Sequence, residues 1–131
     1  MVYALLPFLA WIIAGCTKFF FNFIRFGKDA KKHIGYGGFP STHTTILSSV
    51  VFFSGFQEGF QTPLFSVGLG ALLILVIDAH SLRNKVGMHA QVLNKLQQDV
   101  ILREKMGHSW GEIAGGLVLG LLLGYGASLI A

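Results

Sequence analysis

Apolar residues run almost without interruption from Val2 to Phe26, long enough to span a bilayer. A second apolar stretch begins near His43 and continues to about Phe56. A third runs from Leu64 to Ile77 and a last one from Trp110 to Ile130. The second is short for a full crossing, about 21 Å at the helical rise. A short span can begin below the headgroups, which would set His43 in a recess. Gly87 to Lys105 differs in character. Val92, Leu93, Leu96 and Val100 recur there at helical spacing, with Asn94, Lys95, Gln98 and Asp99 elsewhere on the wheel. That pattern predicts an amphipathic helix lying at the membrane surface. Polar connections fall at Gly27–Phe39 and Gln57–Pro63. The pattern as a whole predicts an all-α integral membrane protein. About four transmembrane helices form a bundle, with one amphipathic interfacial helix, in a single domain over residues 1–131 without repeats.

Polar positions inside the apolar runs are few. Lys18, Asn22 and Arg25 lie within about 60° of one another on one face of the first helix. Arg25 is close enough to the end of the run to snorkel to the headgroups. Lys18 lies about two turns inside, and intramembrane cations usually face the bundle interior and mark a site. The last run carries Gly111, Gly115, Gly116, Gly120 and Gly124. Small residues at that spacing make a close helix-packing face, which would suit a homodimer.

Composition agrees with a membrane protein. The chain is 53% hydrophobic and only 12% charged, about half the charge of a soluble domain. Its net charge of +4 points to anionic headgroups or phosphate rather than nucleic acid. All ten Lys and Arg lie at the end of the first span, in loop 27–40, or in segment 80–109. With four spans these two basic loops share a side, and the positive-inside rule makes that side cytoplasmic. Lys28, Lys31, Lys32, Lys85, Lys95 and Lys105 keep this bias without the candidate site cations. Ile13-Ala14-Gly15-Cys16 has the look of a lipoprotein cleavage box. No Lys or Arg precedes it and the apolar run continues past it, so it reads as part of the span.

Two stretches carry chemistry. In Gly37-Gly38-Phe39-Pro40-Ser41-Thr42-His43-Thr44, a glycine-bearing loop meets a proline and then a new helix. Ser41 or Thr42 can cap that helix, and the N–H groups of its first turn form an anion site. His43 puts a titratable imidazole in the same turn. In the second stretch His108 is followed at i+4 by Glu112, on one helix face. A carboxylate there can hold one ring nitrogen as N–H and leave the other free as base or nucleophile. Lys18, Arg25, Arg83 and Arg103 fall on the same side of the membrane. Phosphoryl transfer calls for this set: cations and N–H groups for the phosphate oxygens, a nucleophile in line, and an acid opposite it. The bland alternatives are a capping His43, a surface His108, and an Asp78 that only ends a helix. His33, His80 and His89 read as interfacial.

The chain resembles the type-2 phosphatidic-acid phosphatase and vanadium haloperoxidase superfamily. Pro40-Ser41-Thr42-His43 looks like its P-S-x-H signature. Lys18 and Arg25 match the K-x6-R spacing of the first motif. Gly107 to Gly115 resembles the third motif, H-x3-D before a glycine-rich helix. Gly38–Ser41, Asp78-Ala79 through Arg83, and Gly107–Glu112 together look most like its small divergent membrane branch. The resemblance implies a metal-independent phosphatase. His108 would attack phosphorus, Glu112 would orient it, and His43 would protonate the leaving alkoxide. Lys18, Arg25 and the Ser41–Thr42 turn would hold the phosphate oxygens, with no cofactor. The pattern departs at Phe26 (usually proline), Thr42 (usually glycine) and Glu112 (usually aspartate). Arg103 precedes His108 by five positions rather than six. Arg83 precedes His89 by six, but no acid follows His89 at four. The phosphate arginine stays open between Arg83 and Arg103. The expected substrate is a membrane lipid phosphate: phosphatidic acid, phosphatidylglycerophosphate or an isoprenoid (di)phosphate. A non-catalytic anionic-lipid-binding or assembly protein, and a phosphotransferase using the same residues, are the competing readings.

Overall fold

The computed structural model describes residues 1–27, 38–96 and 100–131, with helix α1 at Val2–Phe26, α2 at Thr42–Glu58 and α3 at Pro63–Ile77. A π-helical segment, Asp78–Leu82, joins α3 to α4 at Arg83–Leu96, and α5 covers Trp110–Ser128. The loop residues Lys28, Lys31, Lys32 and His33, and Gln98 and Asp99, lie outside the described residues. Among the described residues, three helices are long and apolar enough to cross a membrane: Val2–Arg25, Pro63–Leu96 and Trp110–Ser128.

One expectation is corrected here. The third apolar run and the amphipathic helix are one continuous helix of 34 residues, not a span and a separate surface helix. No glycine or proline breaks the backbone between Ile77 and Arg83, and the π turn carries it through. At the helical rise this rod is about 51 Å long, well beyond a bilayer core. The second run is as short as the sequence implies. α2, at 17 residues, sits at the centre and packs on α1, α3 and α5.

The reason lies in its sequence. Thr44, Thr45, Ser48, Ser49 and Ser54 are buried, and their environment is protein, not lipid. Each hydroxyl is satisfied close by: Thr45 Oγ1 donates to the Ser41 carbonyl at 2.9 Å, and Ser48 Oγ to the Thr44 carbonyl at 2.6 Å. This small polar face meets the glycines of α5. A Cβ on Gly116 would lie 2.7 Å from the Ser41 carbonyl oxygen, and one on Gly124 2.7 Å from that of Ser49. The expected packing face of α5 is therefore filled by α2 within the chain. α1 buries Leu6, Ala10, Ala14 and Asn22, a row of every fourth residue on which Lys18 also falls.

The helices run up and down, so the bundle has two distinct ends. At one end Tyr3 donates to Glu58 Oε1 at 2.6 Å, and Gln57 Nε2 donates to the Ser128 carbonyl at 2.9 Å. Thr62 caps α3 there by accepting from the Phe65 N–H. The other end gathers the end of α1, the start of α2, the π segment and the start of α5.

Candidate active site

The chemistry-bearing residues meet at that second end. A cavity of about 360 Å³ is lined by Lys18, Thr42, His43, Arg83, Arg103 and His108, with Trp11, Ile46, Met106 and Gly107. Four segments remote in sequence contribute to it.

The two motif stretches are stitched together. The Ser41 N–H donates to the Glu112 carbonyl at 2.8 Å. Pro40 and Ser41 are buried at this seam, and the Phe39–Pro40 peptide is cis. Ser41 is the α2 N-cap residue, but its side chain caps nothing. Its Oγ instead pairs with Thr44 Oγ1 at 2.8 Å, fully buried against α5, so the expected contact of this hydroxyl with phosphate is not made from the cavity wall. Thr42 is at the wall.

His108 precedes α5, which Ser109 begins with a capping box. Ser109 Oγ accepts from the Glu112 N–H at 3.3 Å, and Glu112 Oε2 accepts from the Ser109 N–H at 3.0 Å. The same Oε2 lies 3.1 Å from His108 Nδ1. A carboxylate only accepts, so Nδ1 carries the proton and Nε2 is left without one. The capping box thus holds the carboxylate that holds the imidazole. His108 is buried, and this burial lowers its pKa below the ordinary imidazole value. Lys18 and Arg83 push in the same direction, while Glu112 opposes them. The ring is therefore neutral near pH 7.

Behind His108 the π segment acts as a dock. The His108 N–H donates to the Ala79 carbonyl at 3.0 Å, and His80 Nδ1 lies 3.2 Å from the His108 carbonyl oxygen. The His80 ring rests on Trp110, with centroids 4.3 Å apart. Gly107 has φ +84° and abuts Asn84, where a side chain would be both strained and blocked. Arg83 Nε donates to Asp78 Oδ2 at 2.8 Å. This pair is five residues apart, a spacing that faces across a π turn but not along an α-helix. Asp78 thus pairs with a cavity arginine and does more than end a helix.

Arg103 arrives on an extended strap that runs back along α4. Asn94 clamps the strap, accepting from the Leu102 N–H at 2.8 Å and donating to the Leu102 carbonyl at 2.9 Å. Because residues 100–109 are not helical, its five-residue offset from His108 does not move it off the site. Both Arg83 and Arg103 line the cavity, so neither displaces the other. Arg25 does not line it, being exposed two turns further along α1 than Lys18. His89 is exposed on α4 and also stays outside. Among the described residues no three His, Cys, Asp or Glu side chains converge as a metal ion would need.

Sequence reasoning missed Trp11 and Met106 in the wall, and His80 and Asn94 behind it. Trp11 had a usable signal: it falls seven residues before Lys18, two turns along the same helix face. His80 and Asn94 had none, because each acts on a segment brought in by the tertiary fold.

Comparison with known proteins identifies a family. The chain is 26% identical over 107 residues, 66% of its length, to the uncharacterized membrane protein YuiD of Bacillus subtilis (strain 168), covering 68% of that protein. No solved structure matches it. The profile of the Divergent PAP2 family matches residues 2–123, nearly the whole chain and every segment that lines the cavity. This protein is a multi-pass membrane protein of the Divergent PAP2 family.

Proposed function

We propose that the protein is a metal-independent hydrolase of lipid phosphate esters acting through a phosphohistidine. One observation carries the reading: a buried imidazole, oriented by Glu112 through Nδ1, opens on a cavity that also holds a second histidine and three cations. In the first step His108 Nε2 attacks phosphorus, and the N–P bond forms as the bond to the ester oxygen breaks. His43 gives its proton to that leaving oxygen. Water then attacks the phosphohistidine, its proton passes to His43, and the N–P bond breaks to release phosphate. Lys18, Arg83, Arg103 and the N–H groups at the start of α2 stabilise the charge on the phosphate oxygens. The site faces the cytoplasm, on the basic side of the bundle. Phosphatidic acid, phosphatidylglycerophosphate and isoprenoid (di)phosphates all carry the required headgroup. A homodimer would use a surface other than the α5 glycines already packed on α2.

The test is phosphate release by purified protein in detergent from a panel of lipid phosphates, with EDTA, vanadate and His108→Ala controls. The expected outcome is release that EDTA leaves intact, that vanadate inhibits, and that His108→Ala abolishes with the fold retained. If wild type and variant alike release nothing, the cavity is an anionic-lipid binding site without turnover. Release that persists in the variant removes His108 as nucleophile.

A further inference from the structure

α2 has two faces. Thr44, Thr45, Ser48 and Ser49 pack toward α5, while His43, Ile46, Leu47 and Val50 recur at i, i+3, i+4 and i+7 on the opposite side. On that second stripe Ile46, Leu47 and Val50 are half-buried and His43 is exposed. With Pro7 of α1 and Leu75 of α3 it lines an apolar groove of about 300 Å³. The groove is continuous with the cationic cavity, since His43 and Ile46 line both. α1 follows the same course, because Lys18 and Trp11 line the cavity and Pro7, one turn below Trp11, lines the groove. His108, Lys18, Arg83 and Arg103 line only the cavity.

We propose that this groove between α1, α2 and α3 seats one hydrocarbon chain of the substrate, with His43 at the junction of headgroup and chain. For its headgroup end this rests on the hydrolase reading above. The ester oxygen joins phosphorus to the part of the lipid that carries the chain. A histidine that protonates that oxygen has to touch both the phosphate compartment and the path of the chain, and of the two site histidines His43 alone does so. From His43 to Val50 the groove follows the helix for about 10 Å, room for one slender chain lying along it. A second apolar groove, lined by Phe39, Gly115, Val118 and Leu122 among others, shares no lining residue with the cavity. The occupant is one chain of the lipid whose phosphate sits in the cavity. The groove favours a longer chain over a shorter one through contacts along its length. Its contribution is to fix where the ester oxygen stands relative to His43.

Binding of n-alkyl phosphonates from butyl to dodecyl, which cannot be hydrolysed, tests this by calorimetry at constant detergent concentration. Wild type is expected to bind the dodecyl compound at least tenfold more tightly than the butyl. Leu47→Trp, which fills the groove, should bring that ratio below threefold. Leu75→Ala, which adds no bulk, should lower it at least threefold through lost contact. Val118→Trp in the other groove should leave the ratio as in wild type. A wild-type ratio near one overturns the proposal. So does an unchanged ratio in both groove variants, or a ratio that Val118→Trp flattens equally. Phosphonate binding needs no turnover, so chain-length dependence in a protein that releases no phosphate sinks the hydrolase reading and keeps the groove. Lipid hydrolysis with an unaltered ratio in both groove variants does the reverse.

Discussion

At the scale of single residues, Glu112 joins folding to chemistry. Its carboxylate closes the capping box of α5 and holds His108 Nδ1 with the same oxygen. Glu112→Gln keeps an acceptor for both bonds but removes the charge. The expected result is a fall in kcat of roughly 10²–10⁴-fold, with helix stability little changed. The pH profile separates this effect from a structural one. His108 must be neutral to attack, and burial places its pKa below 6.5, so the acid limb of kcat/KM should lie below that pH. Glu112 raises the His108 pKa, so loss of its charge moves the limb to still lower pH. A limb that stays in place or moves up in Glu112→Gln would remove Glu112 as the electrostatic partner.

At the scale of elements, the α2–α5 seam holds the site together. The glycines of α5 let its backbone meet the serine and threonine face of α2, and this close approach aligns Ser41 with Glu112. Gly120 faces Ser48 with no room for a side chain, whereas nothing lies within 4 Å of a Cβ on Gly126. Gly120→Ala should therefore destabilise by about 1–3 kcal/mol through overpacking. Gly126→Ala should be neutral or stabilise by up to about 1 kcal/mol through helix propensity. Thermal unfolding in detergent compares the two. Equal midpoints would show that the seam tolerates more space than the packing implies. The α3–π–α4 rod is the other positioning element. Its π turn supplies the Ala79 carbonyl and His80 to the His108 backbone and turns Arg83 toward Asp78.

At the scale of the whole molecule, the up-and-down bundle puts the cavity at one end and the Tyr3–Glu58 contact at the other. The charge asymmetry predicts which end faces the cytoplasm. With the sole cysteine removed as Cys16→Ser, a single cysteine in place of exposed Lys105 should resist a membrane-impermeant maleimide in intact cells. One in place of exposed Gln61, in the turn at the other end, should react. The reverse pattern would put the site on the outer face and require a substrate from that leaflet.

Much of this protein was legible in its sequence, because a membrane constrains a chain through composition. Apolar run length set the long helices, and the basic residues marked one end. The i, i+4 spacing of His108 and Glu112 described a real contact, since both residues belong to one local turn. Local spacing also misled where the environment was not local. Ser41 looked like a cap open to a ligand, but the glycine face of α5 buries it. The homology of spacing that set Arg83 against Arg103 dissolves once a strap and a π turn bring both to one cavity. Only the tertiary structure decided that α2 is the central helix, that the third run continues into α4, and that His43 joins a polar cavity to an apolar groove. The physical reason is the same in each case. Helical periodicity is written in neighbouring residues, whereas close approach between helices depends on which small side chains face each other across the bundle.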